Sequence, residues 1–147
     1  MFAVDVASRL IHVLTAIVLL GGSTFMLLVV LPTLQSSDEE TRSKIASGLR
    51  GIWKRYVHAG IALFLISGFY NYFKAMPQHK GDGLYHALVG TKIILALAVF
   101  FLASALVGRS AAFEGMRTNS SKWLKILCLL GIVIVAMSSF VKIRGIP

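Results

Sequence analysis

RLIHVLTAIVLLGGSTFMLLVVLP, residues 9–32, carries no ionisable side chain after His12, and the next one in the chain is Asp38. About 20 apolar residues suffice to cross a hydrocarbon core as a helix, so this stretch is long enough to span a bilayer. Its one awkward residue is His12, roughly one helical turn inside the start of the span. Ser8, Thr15, Ala16, Gly22 and Ser23 fall on the same side at helical spacings. A small, polar side predicts contact with protein rather than lipid.

The rest of the composition agrees with a membrane protein. Of 147 residues, 56% are hydrophobic and 14% charged, and the mean hydropathy is +0.78, outside the range of an ordinary water-soluble domain. The first apolar run is too long for a cleaved signal peptide and has neither a basic region before it nor a small-residue cleavage pattern after it. A formal net charge of +9 raises nucleic acid as a partner. The basic residues instead stand beside apolar spans, where they hold topology and meet anionic headgroups, so the lipid bilayer is the expected partner and nucleic acid is not. The single cysteine, Cys128, excludes an internal disulfide.

Four apolar segments can be drawn, about residues 4–34, 52–76, 84–107 and 123–141. Without the alternation of a closed barrel, helices are the only spanning option. The fold expected is therefore all-α, an integral membrane four-helix bundle forming one domain over residues 1–147. Ser37 or Asp38 can cap an amphipathic extension of the second helix into water. The second connection, with Pro77, Gly81 and Gly83, reads as a short turn that makes the second and third helices antiparallel neighbours. Lys and Arg concentrate around the first connection (Arg42, Lys44, Arg50, Lys54, Arg55) and the third (Arg109, Arg117, Lys122, Lys125), against Lys74 and Lys80 around the second. The positive-inside rule then puts both termini and the middle turn on the outer, periplasmic side.

Within this topology His12 and His86 lie near the outer leaflet, whereas His58 lies about one turn above the inner boundary. Two histidines on one haem iron must be nearly level, which favours His12 with His86 as the metal ligands. His12 is otherwise a polar group bonded to a neighbouring helix, and His86 and His58 are close enough to the interfaces to meet water. His79, in the turn, is expected to be solvated. Lys92 falls near the bilayer midplane, where a lysine costs at least about 2.5 kcal/mol. The six acids, Asp5, Asp38, Glu39, Glu40, Asp82 and Glu114, all lie in terminal or connecting segments. Lys92 must be neutral, snorkel, contact carbonyls, or meet an anionic group such as a haem propionate or an acidic substrate.

Helical geometry separates the two candidates on the third helix. Tyr85, Val89, Lys92 and Ala96 share one stripe, while His86, Gly90, Ile93 and Leu97 share another about 120° away. Gly90 suits either a macrocycle beside His86 or close helix packing. Arg55, with Tyr56 and His58, is a candidate for a propionate or quinone headgroup, or a topological anchor. Met76, His79 and Met137 with the outer histidines make an alternative soft copper site. Ser67, Asn71, Ser138 and Ser139 offer hydrogen bonds between helices, and Trp53, Tyr70, Tyr72, Phe73 and Trp123 match interfacial aromatic belts.

Residues 9–32, with His12, Gly21, Gly22 and Pro32, resemble the first helix of the copper resistance D-like membrane proteins and the related HemJ-type protoporphyrinogen oxidases. The family's tryptophan is replaced here by Val18 or Leu19. KRYVHAGIALFLISGFYNY is similar to the second helix, through Arg55 and Gly68, and YHALVGTKIILALAVFFLASALVGRS to the third, through Lys92. The resemblance implies His12 and Lys92 as functional residues in a multi-pass protein of the bacterial inner membrane. It implies haem b and protoporphyrinogen oxidation in one branch and copper passage in the other. A histidine that the HemJ-type proteins carry after the lysine helix is missing here.

These readings give one preferred expectation: a membrane protein that binds haem b through His12 and His86, with Lys92 at an anionic group. It passes electrons between a quinol or other membrane donor and a redox partner. A copper-binding or copper-transporting protein is the alternative, and a scaffold subunit whose histidines only bridge helices is the third. Whether the chain is a membrane oxidoreductase or a carrier, and whether it works as a homo-oligomer, stays open at this level.

Overall fold

A computed structural model describes residues 2–144; residues 1 and 145–147, included in the single domain read from the sequence, lie outside the described residues. Four long helices account for most of the chain: the first Phe2–Gln35, the second Glu39–Ala75, the third Gly83–Val107 and the fourth Ser120–Arg144. Among the described residues there is no strand. The first, third and fourth helices are long and apolar enough to cross a membrane. The second is outside that set, because Lys54, Arg55 and His58 stand at one end of its apolar part and Asn71 and Lys74 at the other.

The second helix starts well before its apolar segment because Asp38 caps it. The Asp38 carboxylate accepts from the Thr41 backbone N–H at 2.9 Å, a bond that also holds its pKa below the usual carboxylate range. Glu39 and Glu40 favour the same helix start through the macrodipole. Asp82 caps the third helix in the same way through the Tyr85 N–H at 3.0 Å. Before it, Met76–His79 forms a 3-10 turn, and Gly81 takes φ +85, a left-handed backbone that only glycine adopts without strain. The third connection holds a 3-10 turn, Ala111–Phe113, and a one-turn helix, Glu114–Thr118.

Pro32 leaves a second local mark. A proline lacks the N–H for the helical ladder and its ring crowds the carbonyl four residues back. The turn before it, Met26–Val30, is π-helical, with the Leu31 N–H reaching the Met26 carbonyl. The wider turn lets the first helix pass through Pro32 without breaking.

The first helix packs along the second and the third along the fourth, while second–third and first–fourth seams close the ring. As the first helix advances from Asp5 to Gly22, the second retreats in step from Tyr70 to Trp53. A Cβ on Gly22 would run into the Trp53 ring, one on Gly60 would lie 2.6 Å from Leu19, and one on Gly131 2.6 Å from Leu20. These three glycines are where the backbones come close. Ser138 and Ser139, expected to bridge helices, instead donate to Ile134 and Val135 of their own helix, at 2.7 and 3.0 Å.

Apolar side chains face outward in quantity. Ile66 is 71% exposed, Ile94 68% and Ile132 59%, while Thr15, Ser23 and Ser67 are buried. That inversion of the water-soluble pattern fits a hydrocarbon surround. The Lys74–Asp5 pair at 3.4 Å and the Arg144–Asp82 pair at 3.4 Å bring both described chain ends to the end of the bundle that holds the middle turn.

Gly22→Ala tests the seam. The substitution pushes against Trp53 and is expected to cost about 1–3 kcal/mol. Thermal unfolding in detergent should show the loss, and the loss should shrink in a Trp53→Leu background, because the two changes act on one contact.

Candidate functional site

The first–second seam is polar at the end that carries the middle turn. Tyr70 donates to Asp5 at 2.6 Å, and the Ser8 hydroxyl reaches the Asn71 side-chain oxygen at 3.2 Å. His12 comes next, half-buried, with Nδ1 2.9 Å from the Ser67 hydroxyl oxygen. Ser67 in turn donates its proton to the Leu63 carbonyl at 2.6 Å. A hydroxyl that has given its proton away can only accept, so the His12 Nδ1–H donates to it. The neutral ring therefore keeps its lone pair on Nε2, and Nε2 has no hydrogen bond among the described residues.

The ring is held by more than one bond. Phe64 meets it edge-on with centroids 4.8 Å apart, and Phe64 leans on Phe100 of the third helix at 5.7 Å. Gly68 passes beneath the imidazole: a Cβ there would come within 3.4 Å of the His12 Cε1. Lys92 of the third helix is half-buried. None of the three ion pairs among the described residues uses Lys92.

The two stripes of the third helix are thus distinguished. Tyr85 is buried and Lys92 half-buried, whereas Ile93 and Leu97 of the His86 stripe are exposed. Gly90 has nothing within 4 Å of a would-be Cβ, so it packs against no neighbouring helix. His86 does not join His12. Its Nε2 lies 3.1 Å from the His79 carbonyl, so Nε2–H donates back into the turn. His86 also precedes Lys92 by six residues, about 9 Å of helical rise toward the chain-end side of the bundle. No bond among the described residues joins the two histidines expected to form the outer pair; His86 is half-buried, as Lys92 is, while Ile93 and Leu97 farther along its stripe are exposed.

His79 is not simply solvated either. It is half-buried and stacks on Tyr85 with centroids 3.7 Å apart and an 11° tilt. His58 and Arg55 are exposed. They precede Ser67 by nine and twelve residues, about 13 and 18 Å of rise, so they belong to the opposite end of the bundle from His12. Met76 is exposed and Met137 half-buried on the fourth helix. No group of three or more His, Cys, Asp or Glu side chains is placed to hold a metal ion among the described residues. Cys128 is buried, 3.7 Å from the Thr24 hydroxyl.

Sequence reasoning picked out His12 and Lys92 but did not single out Phe64 or Gly68 as the walls of the imidazole. Ser67 was legible as an interhelical hydrogen-bonding group, though its direction of donation was not. No protein family, curated protein or solved structure matches the chain.

Two substitutions separate structural from functional roles. Ser67→Ala leaves the His12 Nδ1–H without its acceptor and is expected to cost about 1–3 kcal/mol. Lys92→Met removes an amine that the fold does not pair and is expected to leave thermal stability unchanged or raised, as measured by unfolding in detergent.

Proposed function

We propose that the chain crosses the bacterial inner membrane four times with both ends outside, and that it binds haem b for electron transfer or a linked redox reaction. The observation that carries the reading is the state of His12. Ser67 fixes the ring in the tautomer whose Nε2 lone pair is free, the arrangement in which a histidine ligates a metal. The donor chemistry fits a haem held by one imidazole. Gly68 and the Phe64 edge give the ring a defined orientation. Lys92 supplies a cation for a propionate in a region without an acid. Haem iron supplies one-electron chemistry when bound; the chain's own residues orient the imidazole, exclude water and compensate the anionic edge. A membrane quinol is the proposed donor, and a second redox protein the acceptor.

His86 enters this reading only as a histidine of the turn, not as the second ligand. Copper binding or passage is the second reading, favoured by one observation: His86 stands close to His79 at the middle turn, its Nε2 3.1 Å from the His79 carbonyl.

Purified protein is expected to show a Soret band and a reducible α band. His12→Ala should lose both, while His86→Ala should retain them. Ser67→Ala should keep the haem but raise its midpoint potential, because an imidazole without the Nδ1 hydrogen bond donates less electron density. A folded, colourless preparation that holds copper sensitive to His79 and His86 would instead establish the second reading. Folded protein with neither cofactor would sink both.

A further inference from the structure

At the bundle end opposite His12, the second helix presents Ser47, Arg50, Lys54, Arg55 and His58 at helical-turn spacings, and Arg109 faces them from the connection after the third helix. Together with Gly51 they line a groove of roughly 550 Å³. Four permanent cations converge there and no acid lines it. The ion pairs of the described residues, Arg42–Glu39, Lys74–Asp5 and Arg144–Asp82, use none of the four. Like charges gathered without a counter-ion raise one another's energy, and an anion in the groove relieves that cost.

The chemistry of the groove narrows the anion. Two arginines from the second helix and one from the third connection offer forked donors that match phosphate oxygens, and Lys54 adds a point charge. The Ser47 hydroxyl is a further donor, although it also bonds the Lys44 carbonyl of its own helix at 2.9 Å. His58 spends Nδ1 on the Lys54 carbonyl at 2.8 Å, which leaves Nε2 as its remaining ring nitrogen. Gly51 has nothing within 4 Å of a would-be Cβ, so the middle of the groove is open. Gly108 brings Arg109 into place: a Cβ there would lie 2.9 Å from the Ser104 carbonyl, and the chain leaves the helix at that glycine in extended form.

Position along the bundle indicates where the phosphate comes from. The third helix, Gly83–Val107, is long and apolar enough to cross a membrane and ends two residues before Arg109. The groove thus sits where a hydrocarbon-length helix gives way to polar chain, the depth at which lipid phosphates lie. We infer that Arg50, Lys54, Arg55 and Arg109 form a phosphate-binding site around Gly51, suited to the headgroup of an acidic phospholipid or to a soluble phosphate ester.

The test uses the full chain in neutral detergent, titrated with phosphatidylglycerol, phosphatidylcholine or glycerol phosphate and read by native mass spectrometry and thermal shift. Phosphatidylglycerol should bind about tenfold more tightly than phosphatidylcholine, the worth of about one charge-assisted hydrogen bond. Arg55→Gln with Arg109→Gln should abolish that preference. Gly51→Leu should also abolish it, although it changes no charge, because it fills the groove. Lys122→Gln with Lys125→Gln removes the same charge outside the groove and should leave binding intact. Displacement by glycerol phosphate assigns the site to soluble esters, and its failure to displace assigns the site to the lipid. Full binding by Gly51→Leu, or equal weakening by the two charge-removing pairs, would reduce the site to a diffuse basic belt and overturn the proposal. So would a protein that neither prefers phosphatidylglycerol nor binds glycerol phosphate.

Discussion

A polar group packed between helices and away from water costs free energy unless it is hydrogen-bonded, so inward hydroxyls and ring nitrogens gain by finding partners on a neighbouring helix or on their own backbone. The seam between the first and second helices is where this chain meets that demand. Ser67 is its pivot: it returns its proton to the Leu63 carbonyl and offers its oxygen to His12. The close approach that makes this bond possible is set elsewhere on the same seam, where the Trp53 ring lies against Gly22 and Leu19 against Gly60. Packing of small against large at one end thus fixes hydrogen-bond register at the other. A slip of one residue along this seam would rotate each contact by about 100° and leave His12 facing an apolar side chain.

The same seam explains why Lys92 stands without an acid. All acids of the chain lie in its ends and connections, and those that form ion pairs, Asp5, Glu39 and Asp82, do so at the bundle's ends. Such partly exposed pairs contribute little to stability. The Asp5 and Asp82 pairs tie the chain ends to the helices beside the middle turn, while the Glu39 pair stays within the start of the second helix. The interior is left with an imidazole bonded to Ser67 and, on another helix, an amine that no ion pair uses. For Lys92, cost without a structural return is the physical basis of the role proposed for it.

Much of this was legible in the amino-acid sequence, for reasons that differ by residue. The long apolar runs, the turn at Gly81 and the cap at Asp38 follow from composition and local backbone chemistry, which act within a few residues. The small, polar side of the first helix forecast the buried positions of Thr15 and Ser23. The choice between the Lys92 and His86 stripes was not legible, because both have the period of a helix and only packing against the second and fourth helices decides which faces inward. The π-helical turn was missed for another reason. A proline at position 32 forces a local adjustment of the helix, but whether the chain kinks or widens its turn depends on what packs beside Met26–Val30. The groove around Gly51 escaped as a unit because Arg109 is remote in sequence from the second helix.

The molecule therefore has two chemically distinct poles on one helix pair. Toward the chain ends, the His12 Nε2 has no hydrogen bond among the described residues; near the first and third connections, permanent cations converge with no acid lining the groove. About 18 Å of helical rise separates Ser67 from Arg55, too far for one small ligand to engage both. Only rigid-body movement of the second helix connects them, and Gly22 and Gly60 resist it through the Trp53 and Leu19 contacts. A ligand at the basic pole and one on His12 should therefore bind independently unless the first–second seam itself slides. That seam is accordingly the place where coupling between the two poles, if the protein uses any, must be built.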